Sequence, residues 1–185
     1  MALADALREW EARWVNIGMP IEDELLPGVD EATVRAALPG EDVHPDVLTW
    51  FAWHGGSWNG WAAVPSGRHL LRPEELVSIR AVLEDVERRG DGLVSQFKQT
   101  YLPLLQEGHE PMIVIDQADG AMYVHGLHLV PEPRFLRVAD SLESLVRIWI
   151  GVCDTLDLVF DPDGYIVAVD TDALPPELVR TSIVF

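Results

Sequence analysis

Cysteine is almost missing from this chain. Cys153 stands alone in 185 residues, so no disulfide can form within the molecule, and a reducing compartment is expected. Basic residues are scarce as well. Lys and Arg number 13 against 31 Asp and Glu, for a formal net charge of −18. Such a chain repels phosphate backbones, which removes nucleic acid from the expected partners. No apolar run approaches the roughly 20 residues of a membrane span. Met1–Trp14 carries Asp and Glu inside its apolar pattern, not a basic region followed by an apolar one, so no secretory leader is expected. Cytoplasmic location without a membrane partner is the expectation.

Catalytic signatures are missing too. No Gly-x-Ser-x-Gly elbow occurs, and Gly55, Gly56 and Gly60 lack the following lysine of a phosphate loop. His125 and His128 flank Gly126-Leu127. That segment reads as a strand end or turn, with no third ligand at metal spacing. Asp161-Pro-Asp-Gly164 lacks the remaining ligands of a calcium loop and reads as a tight turn. Asp154 and Asp157 beside Cys153 raise a thiol's pKa and do not activate it, so the cysteine reads as a partly buried structural residue. No catalytic residue, metal or cofactor is expected.

What is present describes a folded domain. Hydrophobic residues make up 48% and charged residues 24%, which argues against disorder. The length suits one domain over 1–185, with a helix and acidic linker at 1–24 and a polar tail at 170–185. Leu3, Leu7, Trp10, Trp14 and Ile17 recur at helical spacing, which predicts a helix over 2–17. Asp30 is an N-cap for a helix at Glu31–Leu38. Pro45 opens a helix to His54, with Val47, Leu48, Phe51 and Ala52 inward, Trp50 and Trp53 toward its flanks, and Gly55-Gly56 as its stop. Pro73 opens another, lined by Leu76, Ile79, Leu83 and Val86. Residues 91–100 read as ambiguous, with a short helix among the options.

The period then changes to two. Tyr101–Leu105, Met112–Asp116, Ala121–Gly126 and Arg134–Val138 read as strands, with Asp119-Gly120 as a hairpin turn. Ser141, with Glu143 and Ser144, starts a late helix carrying Leu142, Leu145, Trp149, Val152 and Leu156. A final hairpin joins Leu158–Phe160 to Tyr165–Val169. Helices bunched at one end of antiparallel strands indicate an α+β fold with a mainly antiparallel sheet and helices packed beside it.

Four features carry a resemblance to a known family. They are the Leu-Pro-Gly turn and helix at Leu26–Leu38, the aromatic-rich helix and glycines at His44–Gly56, the strand Tyr101–Leu105 followed by Ile113–Asp116, and Val138–Leu142 opening a late helix before a hairpin. Together they resemble the SUKH superfamily, in particular the branch related to the fungal Smi/Knr cell-wall assembly regulators. The stretch between Leu71 and Tyr101 is longer than in that pattern, and Leu102 stands where a Trp is frequent. The resemblance implies the same α+β domain and a non-catalytic role, either an immunity protein that binds and neutralises a polymorphic toxin or an interaction scaffold.

Two groups of residues are the candidate partner-binding sites. Glu22, Asp23 and Glu24 form an acidic run that serves either as a solvated face or as the rim meeting a basic toxin domain. Among seven Trp, Trp58 and Trp61 fall in a glycine-rich loop, where an indole has less core to enter and suits an interface anchor. Trp53 joins them as a candidate, although for it and for Trp50 packing into the core is the favoured reading. A scaffold with a cellular partner of no special basicity is the second reading. An enzyme built around His54, His69 or His125 with a carboxylate is the third.

Overall fold

The computed structural model describes residues 2–58, 69–89, 96–106, 112–126, 135–156, 158–160 and 166–168. It is an α+β arrangement with antiparallel strand pairing. Helix α1 spans Leu3–Asn16 and buries Leu3, Ala6, Leu7, Trp10 and Trp14, the stripe that its periodicity predicts. A one-turn helix, α2 (Ile21–Glu24), leads into β1 (Leu25–Pro27). Helix α3 (Glu31–Ala37) starts at Asp30, whose carboxylate accepts from the Thr33 N–H at 2.8 Å and so satisfies one orphan donor of the first turn. Helix α4 (Pro45–Trp53) runs without interruption into β2 (His54–Ser57).

The principal sheet has five strands in the order β3 (His69–Leu70), β4 (Tyr101–Gln106), β5 (Met112–Asp116), β6 (Met122–His125) and β7 (Phe135–Ala139). Between β3 and β4 a short 3₁₀ turn at Pro73–Glu75 precedes helix α5 (Leu76–Arg89). Pro103 has no N–H to give, and it lies at a register shift on β4 beyond the reach of β3, which pairs only with Leu105 and Gln106. The β5–β6 hairpin turns at Asp119-Gly120, with Gly120 at φ 77°. Helix α6 (Leu142–Thr155) is capped by the Ser141 hydroxyl, which accepts from the Ser144 N–H at 3.1 Å. Strands β8 (Leu158–Phe160) and β9 (Ile166–Ala168) form a separate antiparallel pair; the turn at 161–164 lies outside the described residues.

The core is built around indoles. Trp10, Trp14, Trp50 and Trp149 are fully buried. Trp10 stacks on Trp149 with ring centroids 4.5 Å apart and meets Trp14 edge-on at 4.1 Å. These contacts join α1 to α6, and Trp53 joins α4 to the same cluster at 5.7 Å from Trp10. Aromatic pairs of this geometry contribute about 0.5–1.5 kcal/mol each beyond their buried area.

Four expectations are corrected. Trp50 is not on a flank; it is enclosed completely. The glycines after α4 do not cap it. The Phe51 carbonyl near its end accepts from the Val29 N–H at 2.8 Å, so that orphan acceptor is already satisfied, and Gly55 and Gly56 belong to β2. They are glycines because the surroundings are close. A Cβ on Gly55 would lie 2.7 Å from the Pro27 carbonyl oxygen, and one on Gly56, at φ 123°, would lie 2.7 Å from Arg72 Cγ. On α5, Val86 is only half-buried while its neighbour Glu87 is buried. The possible helix at 91–100 is not formed over Gln96–Thr100, and 91–95 lie outside the described residues.

Candidate protein-binding surface

The acidic run and one of the loop tryptophans meet on a single edge. Proline 20 opens α2, and its carbonyl accepts from the Asp23 and Glu24 N–H groups. Glu22 and Asp23 are exposed and Glu24 is partly so. Leu25 then pairs with Ser57 across β1 and β2, and both are buried, at 2% and 4% exposure. One step further out, the Trp58 N–H donates to the Glu24 carbonyl at 3.0 Å. Trp58 remains 50% exposed. Pairing of Leu25 with Ser57 thus brings the end of α2, at Glu24, to the main chain of Trp58.

This edge is tied firmly to the fold behind it. The Ser57 hydroxyl accepts from the Leu70 N–H at 2.9 Å, which joins β2 to the first strand of the main sheet. The Arg72 guanidinium donates to the Trp58 carbonyl at 2.8 Å and to the Ser57 carbonyl at 3.2 and 3.3 Å. Its own N–H donates to Glu75 Oε2 at 2.7 Å, which fixes the start of the 3₁₀ turn. Trp58 is therefore held through both its N–H and its carbonyl while half its surface stays in solvent.

Trp53 occupies a different environment. Its indole N–H donates to Glu11 Oε2 at 2.6 Å, and its ring packs against Trp50 at 5.2 Å and His54 at 4.5 Å. The Glu11 carboxylate also lies 3.5 Å from His54 Nε2, while His54 Nδ1–H donates to the Leu26 carbonyl at 3.0 Å. Trp53 thus braces α1, α4 and β2 behind the edge and is only partly accessible to a partner. Trp61 lies outside the described residues. Glu11, Ser57 and Arg72 carry the edge yet have no sequence signal of their own, because each acts through a contact distant along the chain.

The histidines named for an enzyme reading are dispersed. His125 pairs with Glu87 at 3.1 Å in a setting where each side chain is 1% exposed, so the pair is closed to a substrate; His128 lies outside the described residues. Burial pushes the His69 imidazole below its ordinary pKa, with Glu75 opposing in smaller measure. Burial first, and Asp154 next, push the Cys153 thiol up to about 11. This thiol borders a groove of about 230 Å³ with Arg13, Ile17 and Leu156. Among the described residues no group of three His, Cys, Asp or Glu could hold a metal ion, and no helix is long and apolar enough to cross a membrane.

A larger polar groove of about 490 Å³ lies elsewhere, between Glu41, Arg80, Thr100 and Gln117. Its polar groups largely bind one another: Arg80 donates to Glu41 with both terminal nitrogens, and Gln117 Nε2 donates to the same carboxylate at 3.0 Å. No family model matches the chain, and no curated protein matches it.

Proposed function

We propose that the protein is a non-catalytic binding module whose partner is a basic protein domain, engaged through Glu22, Asp23, Glu24 and Trp58. The observation that carries this reading is the half-exposed indole of Trp58 on a main chain tied at both ends, bonded to the carbonyl of Glu24, the last of the three acids. Interface hot spots are enriched in Trp, and a group fixed before binding loses little entropy on association. The net charge of −18 adds an attractive field that raises the encounter rate with a basic surface. Together with the SUKH-like pattern of the sequence, this favours an immunity protein. Its mechanism is occlusion: carboxylates take the place of a toxin's anionic substrate, or block the way to it, and no bond is made or broken.

The test is protection and binding against the protein encoded beside this one. A toxic, basic neighbour that this chain neutralises, with affinity falling steeply as salt rises, is the expected result. A harmless neighbour and no loss of protection on deletion would overturn the immunity reading. Tight binding to a partner of ordinary charge with a flat salt dependence would replace it with the scaffold reading.

A further inference from the structure

We infer that the outer edge of β7 takes up one extended segment of a partner protein as a sixth strand, seated in the cleft between that edge and α6; the inference goes beyond the reading above and is tested separately from it. β7 ends the strand order of the principal sheet, and among the described residues it pairs with β6 alone. In an antiparallel ladder every second residue turns its N–H and C=O away from the neighbour it pairs with. The Phe135 N–H donates to Gln96 Oε1 at 3.5 Å. Past it, among the described residues, no side chain engages the main chain of 136–139. An edge of free donors and acceptors is complementary to another extended backbone.

The cleft beside this edge defines the occupant. A groove of about 380 Å³ is lined by Arg137, Val138 and Ala139 of β7 and by Ser144 and Ile148 of α6. The register shift opposite Met122 and Tyr123 makes Val138 an extra, bulged residue. Val138 and Ala139 therefore both pack toward the core on the α6 side, whereas neighbours in a regular strand face opposite ways. Ile148 and Ser144, each half-buried, supply the wall on the helix. A strand laid along β7 thus has Val138 and Ile148 under the side chains of one face, which calls for an apolar residue at every second position. Charge matches its end. Asp140 follows β7 with its side chain 89% exposed; its Oδ1 lies 3.0 Å from Arg137 Nη2, and its Oδ2 makes no ion pair. A strand antiparallel to β7 brings its first residue toward Asp140, where Lys or Arg is complementary. A second copy of this chain is the wrong occupant. Each copy carries a charge of −18, and full two-fold overlap of two β7 edges sets Arg137 against Arg137.

The experiment binds a dye-labelled peptide, Arg-Val-Thr-Val-Thr-Val-Thr, to the intact protein and follows anisotropy at low ionic strength. Two isomers carry N-methyl groups on the Val amides or on the Thr amides. Only one of these sets of N–H groups faces β7. One isomer is expected to bind within about twofold of the parent and the other at least tenfold more weakly. Amide exchange should slow at β7 on binding. Ile148→Lys is expected to weaken the parent about tenfold, with an unchanged melting curve showing that it is folded; the methylated pair needs no variant. Equal effects of the two methylation patterns, slowed exchange away from β7, or no binding of the parent peptide overturns strand addition and leaves the acidic binding module standing. Binding with the expected methylation pattern, together with no affinity for the protein encoded beside this one, keeps the β7 site and removes the toxin reading.

Discussion

Glu87 and His125 meet side chain to side chain at 3.1 Å with only 1% of each exposed. They sit beside an apolar cluster of Leu83, Tyr101, Met112, Val114 and Phe135, and the His125 ring lies 4.8 Å from that of Phe135. Removing one partner leaves the other buried without this contact. Glu87→Ala and His125→Ala are each expected to destabilise by about 3 kcal/mol. The double change Glu87→Met with His125→Leu should cost less than the sum of the single losses, with a coupling above about 1 kcal/mol. Urea unfolding of the four proteins measures this, and simple additivity would show that the two groups are independent.

His69 sets a pH dependence. Its imidazole is shifted down mainly by burial, so between its folded and unfolded pKa values the unfolded chain binds more protons. Stability is then full above the unfolded value of about 6.5 and falls as pH drops through that value toward the folded one. The urea midpoint should decline between about pH 7.5 and pH 5.5, and His69→Gln should flatten that decline. An identical slope in the variant would remove His69 as the source.

Trp50 and Trp58 separate stability from binding. Trp50→Ala opens a hole in a closed indole cluster and should cost about 3–5 kcal/mol. Trp58→Ala removes a half-exposed ring and should change stability by no more than about 0.5 kcal/mol, while weakening partner binding at least tenfold, about 1.4 kcal/mol or more. Thermal melts and binding isotherms of the two variants give both numbers. A large drop in melting temperature for Trp58→Ala would make that ring a structural element.

Gly18 and Gly56 both have positive φ, at 89° and 123°, but they differ in surroundings. A Cβ on Gly18 meets nothing within 4 Å, whereas one on Gly56 presses against Arg72 Cγ. Gly18→Ala should cost about 1 kcal/mol, the backbone term alone. Gly56→Ala should cost about 1 kcal/mol more than that, and amide exchange at Trp58 should accelerate as the Arg72 hydrogen bonds shift. Equal stability losses with unchanged exchange would mean that Arg72 yields freely.

Cys153 should be a slow nucleophile. With its thiol pushed up to about 11, its alkylation rate by iodoacetamide should keep rising with pH well past 9, beyond where an ordinary thiol levels off. A plateau near pH 8.5 would contradict the shift.

The sequence is most informative where local chemistry decides. Asp30 is read as a cap, and Ser141 as a helix start, because a short oxygen-bearing side chain ahead of an apolar period has one obvious use. The strands from Tyr101 to Val138 follow from their apolar, β-branched runs and the Asp-Gly turn. The strands β1, β2 and β3 escape notice because they are two to four residues long and too short to show alternation, and β1 contains a proline and β2 two glycines. The burial of Glu87 has no local signal, because its partner His125 lies 38 residues away. The same limit governs the candidate surface. Residues 22–24 and Trp58 each attract attention alone, but their adjacency is a matter of strand register, which no periodicity displays.

The pairing of α1 with α6 also dictates when the molecule can finish folding. Arg13 and Asp154, bonded at 3.1 Å, are 141 residues apart in the chain, and Trp10 has no stacking mate until Trp149 arrives. As the polypeptide leaves the ribosome, α4 can bring Trp53 to the indole stripe of α1 early, but the face that stacks on Trp149 stays uncovered until the late helix arrives. Closing so wide a loop is slow relative to local helix formation. Nascent chains halted before Trp149 should therefore be sticky and a substrate for holdase chaperones, and those halted beyond α6 should release them.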